Sequence, residues 1–164
     1  IGLFVNTLVM RTDLAGDPSF RELVQRVRAT ALAAYDHADV PFEKLVELLQ
    51  PARDLSRPPL FQTLFVHMEA PLSHGARGDG LAAIPLTEIH NGSAQFDLSL
   101  YAIEEEALVT GYLEYNSDLF ERGSIERLGE HYRTLLAGAI ASPELPLSRL
   151  PLLTAAEREQ LVVD

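Results

Sequence analysis

The chain of 164 residues contains no cysteine. That absence excludes disulfides, thiolate nucleophiles and cysteine-held metals, and it suits a cytoplasmic location. Positive charge is also scarce: 13 Lys and Arg stand against 24 Asp and Glu, a formal net charge of −11. Such a balance repels phosphate backbones and anionic lipid surfaces, which argues against nucleic-acid or membrane-surface binding. No stretch approaches the roughly 20 apolar residues that cross a bilayer, and the start lacks the basic, apolar and small-residue order of a secretory signal. The chain opens on Ile1, inside an apolar run, rather than on Met, and the expectation is that a longer polypeptide was cut there.

Familiar catalytic signatures are missing as well. Ser93, Ser99 and Ser124 lack a Gly-x-Ser-x-Gly setting, and no Gly-x-Gly-x-x-Gly or Walker-type loop occurs. No two histidines are adjacent and none is followed four residues later by Asp. His74-Gly-Ala-Arg-Gly-Asp79-Gly80 holds a single histidine among glycines and an alanine, so it reads as a loop tip. What is present is a 47% apolar content, enough to build a core for one ordinary domain.

Residues 3–11 form a nearly continuous apolar run of strand length, interrupted by Asn6 and Thr7. Asp17 before Pro18 predicts a helix start, with Phe20, Leu23, Val24, Val27, Ala31 and Tyr35 on its core face. A shorter helix is predicted from Pro41 to near Pro51, followed by a loop from Arg53 to Pro59. Phe61–Met68 alternates as a strand, and 70–91 is irregular. Gln95–Ile103 and Leu108–Tyr115 predict a hairpin around a solvated Glu104–Glu106 turn. Ser124 is the expected cap of a third helix with Ile125, Leu128, Tyr132, Leu135, Leu136, Ala139 and Ile140 inward, and Thr154-Ala-Ala-Glu157 reads as a capping box opening a last short helix. Strands interspersed with helices point to a two-layer α/β sandwich with a mixed sheet.

Three segments carry the polar groups of interest. An amide and a hydroxyl in an apolar strand, Asn6 and Thr7, must be hydrogen-bonded if buried, and neighbouring backbone is the simplest partner. His37, Asp39 and Glu43 surround Pro41 and Phe42 at a helix start; a metal or acid/base reading is open, but a capping arrangement already accounts for them. Arg53, Asp54, Ser56 and Arg57 suit a loop tied to the body by charge-assisted hydrogen bonds.

In fixed order, Ile1-Gly-Leu-Phe-Val-Asn-Thr-Leu-Val-Met-Arg11, His37-Ala-Asp-Val-Pro-Phe-Glu43 and Arg53-Asp-Leu-Ser-Arg-Pro-Pro-Leu60 resemble the late core motifs of nonribosomal peptide synthetase condensation domains. Gln95-Phe-Asp-Leu98 is similar to that family's Lys-Phe-Asp-Leu strand. Ala38 departs from the family's Gln, Gln95 from its Lys, and Pro58 from its usual Asn or Ser. The resemblance implies a chloramphenicol-acetyltransferase-like (CoA-dependent acyltransferase-like) lobe. Residues 1–150 would be the C-terminal lobe, with 70–94 as the latch that crosses to the other lobe, and 151–164 the start of a linker to the next domain. The family's upstream His-His-x-x-x-Asp-Gly signature is absent, so no catalytic residue is expected in this chain.

On the same resemblance, Asn6 and Thr7 line the substrate tunnel, with Asn6 orienting a substrate amide or pantetheine arm. Arg53 or Arg57 faces a carrier protein or its phosphate, and Asp97 pairs with an arginine near the lobe interface. The implied parent forms peptide bonds between aminoacyl or peptidyl thioesters. Its implied partners are the upstream and downstream peptidyl carrier proteins, the N-terminal lobe of the same domain and the adjacent adenylation domain. No cofactor or metal is expected to bind directly, because 4′-phosphopantetheine arrives on the carriers. The heterocyclisation and epimerisation branches fit these motifs less well. Rival readings are a noncatalytic carrier-binding or docking module and a purely structural dimerisation domain.

Overall fold

The computed structural model describes residues 6–51, 58–69, 92–105 and 108–163, in two compact units: Ile1–Asp54 with Glu126–Asp164, and Leu55–Ile125. The Arg53–Arg57 motif and most of the 70–94 latch candidate lie outside the described residues.

In the first unit, helix α1 spans Phe20–Tyr35. Its cap is Ser19 and not the predicted Asp17: the Ser19 hydroxyl accepts from Glu22 N while the Glu22 carboxylate accepts from Ser19 N at 2.9 Å. This is the Ser-x-x-Glu capping box, present in the sequence as Ser19-Phe-Arg-Glu22. Asp17 does not fill that role because it adopts φ of 50° and gives its carboxylate to Ser148, accepting from the hydroxyl at 2.6 Å and from the backbone N–H at 2.9 Å. Those two bonds hold Asp17 below the usual carboxylate range, the hydroxyl having the larger effect. The same corner is closed by Leu147 N donating to Pro18 O, by Arg21 N donating to Pro143 O, and by an Arg21–Glu144 ion pair.

The inward stripe of α1 also differs from the predicted one. Phe20, Leu23, Arg26, Thr30, Ala31 and Ala34 are half-buried, whereas Val24, Val27 and Tyr35 are exposed. The reason is Arg26, whose Nη1 donates to Asp13 O and Ala15 O at 3.0 and 2.9 Å and turns that face toward the preceding loop. Helix α2, Phe42–Leu49, has Pro41 as its extended N-cap, one residue ahead of the helix rather than its predicted first position, and ends on Gln50 in the left-handed conformation.

Helix α3 runs over Arg122–Ala141, three residues earlier than the start at Ile125 that a Ser124 cap predicts, so Ser124 lies inside the helix. Ile125 and Ala139 are buried, but Leu128, Tyr132, Leu136 and Ile140 are exposed, so the predicted core face is only partly right. The helix instead offers Gly138 and His131 to the chain that returns past it: a Cβ on Gly138 would lie 2.6 Å from the ring carbons of Pro151. A 3-10 turn at Leu147–Arg149 and buried Leu150 lead into α4, Ala155–Val163. Its predicted capping box is present, with Thr154 N and Oγ1 donating to Glu157 Oε2 at 2.9 and 2.7 Å.

In the second unit, β1 (Thr63–Glu69), β2 (Leu98–Glu104) and β3 (Val109–Tyr115) form a mixed sheet in the order β1-β2-β3. β1 runs parallel to β2 from Thr63↔Leu98 to Glu69↔Glu104, and β2 pairs antiparallel with β3 from Leu98↔Tyr115 to Glu104↔Val109. The hairpin is the predicted one. Both β1 and β2 begin two or three residues later than predicted, since Phe61 and Phe96 stack on each other ahead of the ladder at 5.5 Å. Tyr101 and Tyr112, register partners, stack at 4.6 Å. Gly111 is required beside them because a Cβ there would meet Tyr101 O at 2.3 Å.

The predicted strand at 3–11 is not observed over residues 6–11, and 3–5 lie outside the described residues. A strand needs a neighbour to receive its backbone groups, and among the described residues 6–11 have no ladder partner; what is bonded is the Asn6 side chain.

Candidate functional site

Asn6 is brought against the second motif. Its Nδ2 donates to both Ala38 O and Val40 O at 2.7 Å, and its Oδ1 accepts from Thr7 N at 3.0 Å. The receiving segment is a tight connection between α1 and α2, in which Ala38 N donates to Tyr35 O and Val40 N donates to His37 O, each at 3.1 Å. Pro41 then starts α2, with Glu43 in its first turn where the helix dipole favours a carboxylate. His37, Asp39, Pro41 and Glu43 are exposed; Phe42 and Thr7 are half-buried. Nothing in this arrangement pairs a base with a nucleophile, and among the described residues no group of three His, Cys, Asp or Glu could hold a metal. What the geometry does is tie one polar turn to the Asn6 side chain.

Asp97 belongs to the other unit. Its backbone joins the start of β2 to both sides, donating to Gln62 O at 3.0 Å and accepting from Asn116 N at 3.1 Å. Beside that region an open recess of about 610 Å³ is lined by Ser93, Leu113, Glu114, Tyr115, Asn116 and Asp118 among others.

Two further features carry no signal in the motifs. His131 Nε2 lies 2.8 Å from Glu157 Oε1, joining α3 to α4. Thr154's hydroxyl and backbone N–H, with His131 in addition, hold the Glu157 carboxyl down at about 2. The Thr154-x-x-Glu157 box is legible in the sequence, but nothing there ties Glu157 to a residue 26 positions earlier. Ser99, at the second position of β2, is 1% exposed and its hydroxyl has no hydrogen-bond partner among the described residues.

One helical unit, one unit built on a mixed sheet and this motif order fit the acyltransferase-like class of domain expected from the sequence. Residues 1–162 match the family described as Condensation domain, and the chain belongs to that family. It is 46% identical to one component of the linear gramicidin synthase of Brevibacillus parabrevis over 99% of this chain, which spans 2% of that relative. It is 41% identical to a dimodular nonribosomal peptide synthase of Bacillus subtilis over 100% of this chain and 7% of that relative. A complex of the X-domain and OxyB from teicoplanin biosynthesis superposes with a TM-score of 0.74 at 29% identity, covering 88% of this chain and 32% of that one. A four-domain nonribosomal peptide synthetase superposes with a TM-score of 0.76 at 24% identity, over 94% of this chain and 13% of that one, and shares the fold.

Proposed function

We propose that this chain is the C-terminal lobe of a condensation domain that forms peptide bonds between carrier-bound aminoacyl or peptidyl thioesters in a nonribosomal peptide synthetase. The observation that carries the reading is the family match across 1–162, joined to 46% identity with a linear gramicidin synthase. In this reading residues 1–150 form the lobe, 70–94 the latch and 151–164 the departure toward an adenylation domain. The His-His-x-x-x-Asp-Gly centre belongs to the partner lobe, and phosphopantetheine arms enter on upstream and downstream carrier proteins in the cytoplasm. Asn6 and Thr7 are part of the wall beside the reacting thioesters, while His37, Asp39, Pro41, Phe42, Glu43, Arg53, Asp54, Ser56, Arg57 and Asp97 support the carrier side or tie the lobe together.

The lobe's contribution is positional. Converting a bimolecular aminolysis to an effectively unimolecular one is worth about 7–11 kcal/mol, and that effect needs rigid walls rather than a titrating group. The test is amide formation between two charged carrier proteins, measured for the complete domain and for residues 1–164 alone. Turnover by the complete domain and none by the isolated chain is expected. Product from the isolated chain overturns the assignment of the catalytic centre to the partner lobe, whereas carrier binding without product from the complete domain makes it a docking module.

A further inference from the structure

We infer that Asn6 is a positioning residue that acts through the His37–Pro41 turn, rather than a group that touches substrate; the functional weight of that turn rests on the reading above. The amide of Asn6 has two N–H donors, and both are committed, at 2.7 Å each, to the carbonyls of Ala38 and Val40. Its oxygen already accepts Thr7 N at 3.0 Å, so one lone pair is all that is left for anything else. A side chain so engaged does not offer a donor to a substrate carbonyl.

The carbonyls it holds flank Asp39, in the segment that carries the chain from the end of α1 to the start of α2. Pro41 has no N–H to contribute, so this corner is short of donors from its own backbone. Asn6 supplies two from 32 and 34 residues away. It therefore sets the position of His37 and Asp39 and the direction in which α2 leaves. The geometry is selective for Asn: Asp lacks both donors, Gln is one methylene longer, and Ser or Thr offers a single donor.

The experiment uses Asn6→Asp and Asn6→Ala in the 164-residue chain and, in parallel, in the complete domain. In the chain, amide hydrogen exchange at Ala38 and Val40 is read together with the His37 ring resonances. Those amides donate to Tyr35 O and His37 O and exchange when the turn opens; losing the two Asn6 bonds to its carbonyls is expected to raise their exchange on the order of tenfold and to move the His37 ring signals. Amides in α3 stay at their original rates, which separates loss of the clamp from general unfolding. Unchanged exchange at Ala38 and Val40 in Asn6→Asp overturns the inference.

In the complete domain, Pro41→Ala disturbs the same turn without touching Asn6. If both act through the turn, Asn6→Asp combined with Pro41→Ala lowers kcat/KM no further than the worse single substitution. Multiplied losses would mean that Asn6 meets the substrate itself, and would overturn the inference. A complete domain that forms no amide even without substitutions defeats the functional reading alone, because the exchange and ring-signal results stand apart from turnover.

Discussion

Gly138→Ala sets two opposed effects against each other inside one helix. In a helix interior Ala is favoured over Gly by about 0.8–1.0 kcal/mol, so an exposed site would gain stability. Here an ideal Cβ falls 2.6 Å from both Cγ and Cδ of Pro151, against an ordinary carbon–carbon separation of about 3.5–4.0 Å. The ring is closed onto its own backbone and cannot swing aside, so either α3 or the 142–151 connector must move. Overpacking of this kind costs about 1–3 kcal/mol, and the net expectation is a loss of about 1 kcal/mol. Denaturant-dependent hydrogen exchange of the α3 amides reads this locally, which avoids treating two units as one cooperative transition. In a Pro151→Ala background, where the ring carbons are gone, the same substitution should become stabilising by about 1 kcal/mol, a coupling a double-mutant cycle isolates. If Gly138→Ala raises the protection of α3 with Pro151 in place, the close approach of helix and connector is wrong.

Three other outcomes are expected. Glu157 is held at about 2 when folded, from an ordinary 4.5; a depressed carboxyl contributes above its unfolded value and is lost as pH falls through the folded one. The capping box that opens α4, whose Thr154 bonds cause most of that depression, should therefore be intact above pH 4.5 and weaken progressively toward pH 2, followed by NMR of the first-turn α4 amides, and Glu157→Gln should remove that dependence. Ser19→Ala removes the hydroxyl half of the α1 capping box and should lower helix stability by about 1 kcal/mol, seen as faster exchange in the first turn; unaltered rates there would show that Ser19 is not the cap. Ser99→Ala should leave the sheet as stable or about 1 kcal/mol more so, since it deletes a buried hydroxyl that has no partner among the described residues; a clear loss in urea unfolding followed by tyrosine fluorescence would mean the hydroxyl is bonded after all.

The elements themselves were largely legible. Helical spacing and the Pro41 and Thr154 starts located α2 and α4, and alternation located the hairpin, because those signals come from residues within a few positions of one another. The failures are of another kind. Asp17 looked like a cap next to Pro18, yet Ser148 takes its carboxylate and Ser19 does the capping. Val24, Val27 and Tyr35 kept helical spacing but lie outside the buried stripe, because Arg26 reaches back to the carbonyls of Asp13 and Ala15.

The candidate site divides in the same way. Asn6 was identifiable as a polar interruption in an apolar run, and the His37–Glu43 segment as a helix start, from residue type and local order. That the two meet at a single turn was not encoded in either segment, and neither was the meeting of His131 with Glu157.

The amino-acid sequence alone determined the family, the helix starts and the hairpin, since motif order and short-range periodicity reside in the covalent chain. Tertiary structure decided which face of each helix is buried, that Ser148 draws down the Asp17 carboxylate, and what Asn6 holds. Those outcomes depend on hydrogen bonds and packing between residues tens of positions apart, and such contacts exist only once the chain has folded back on itself.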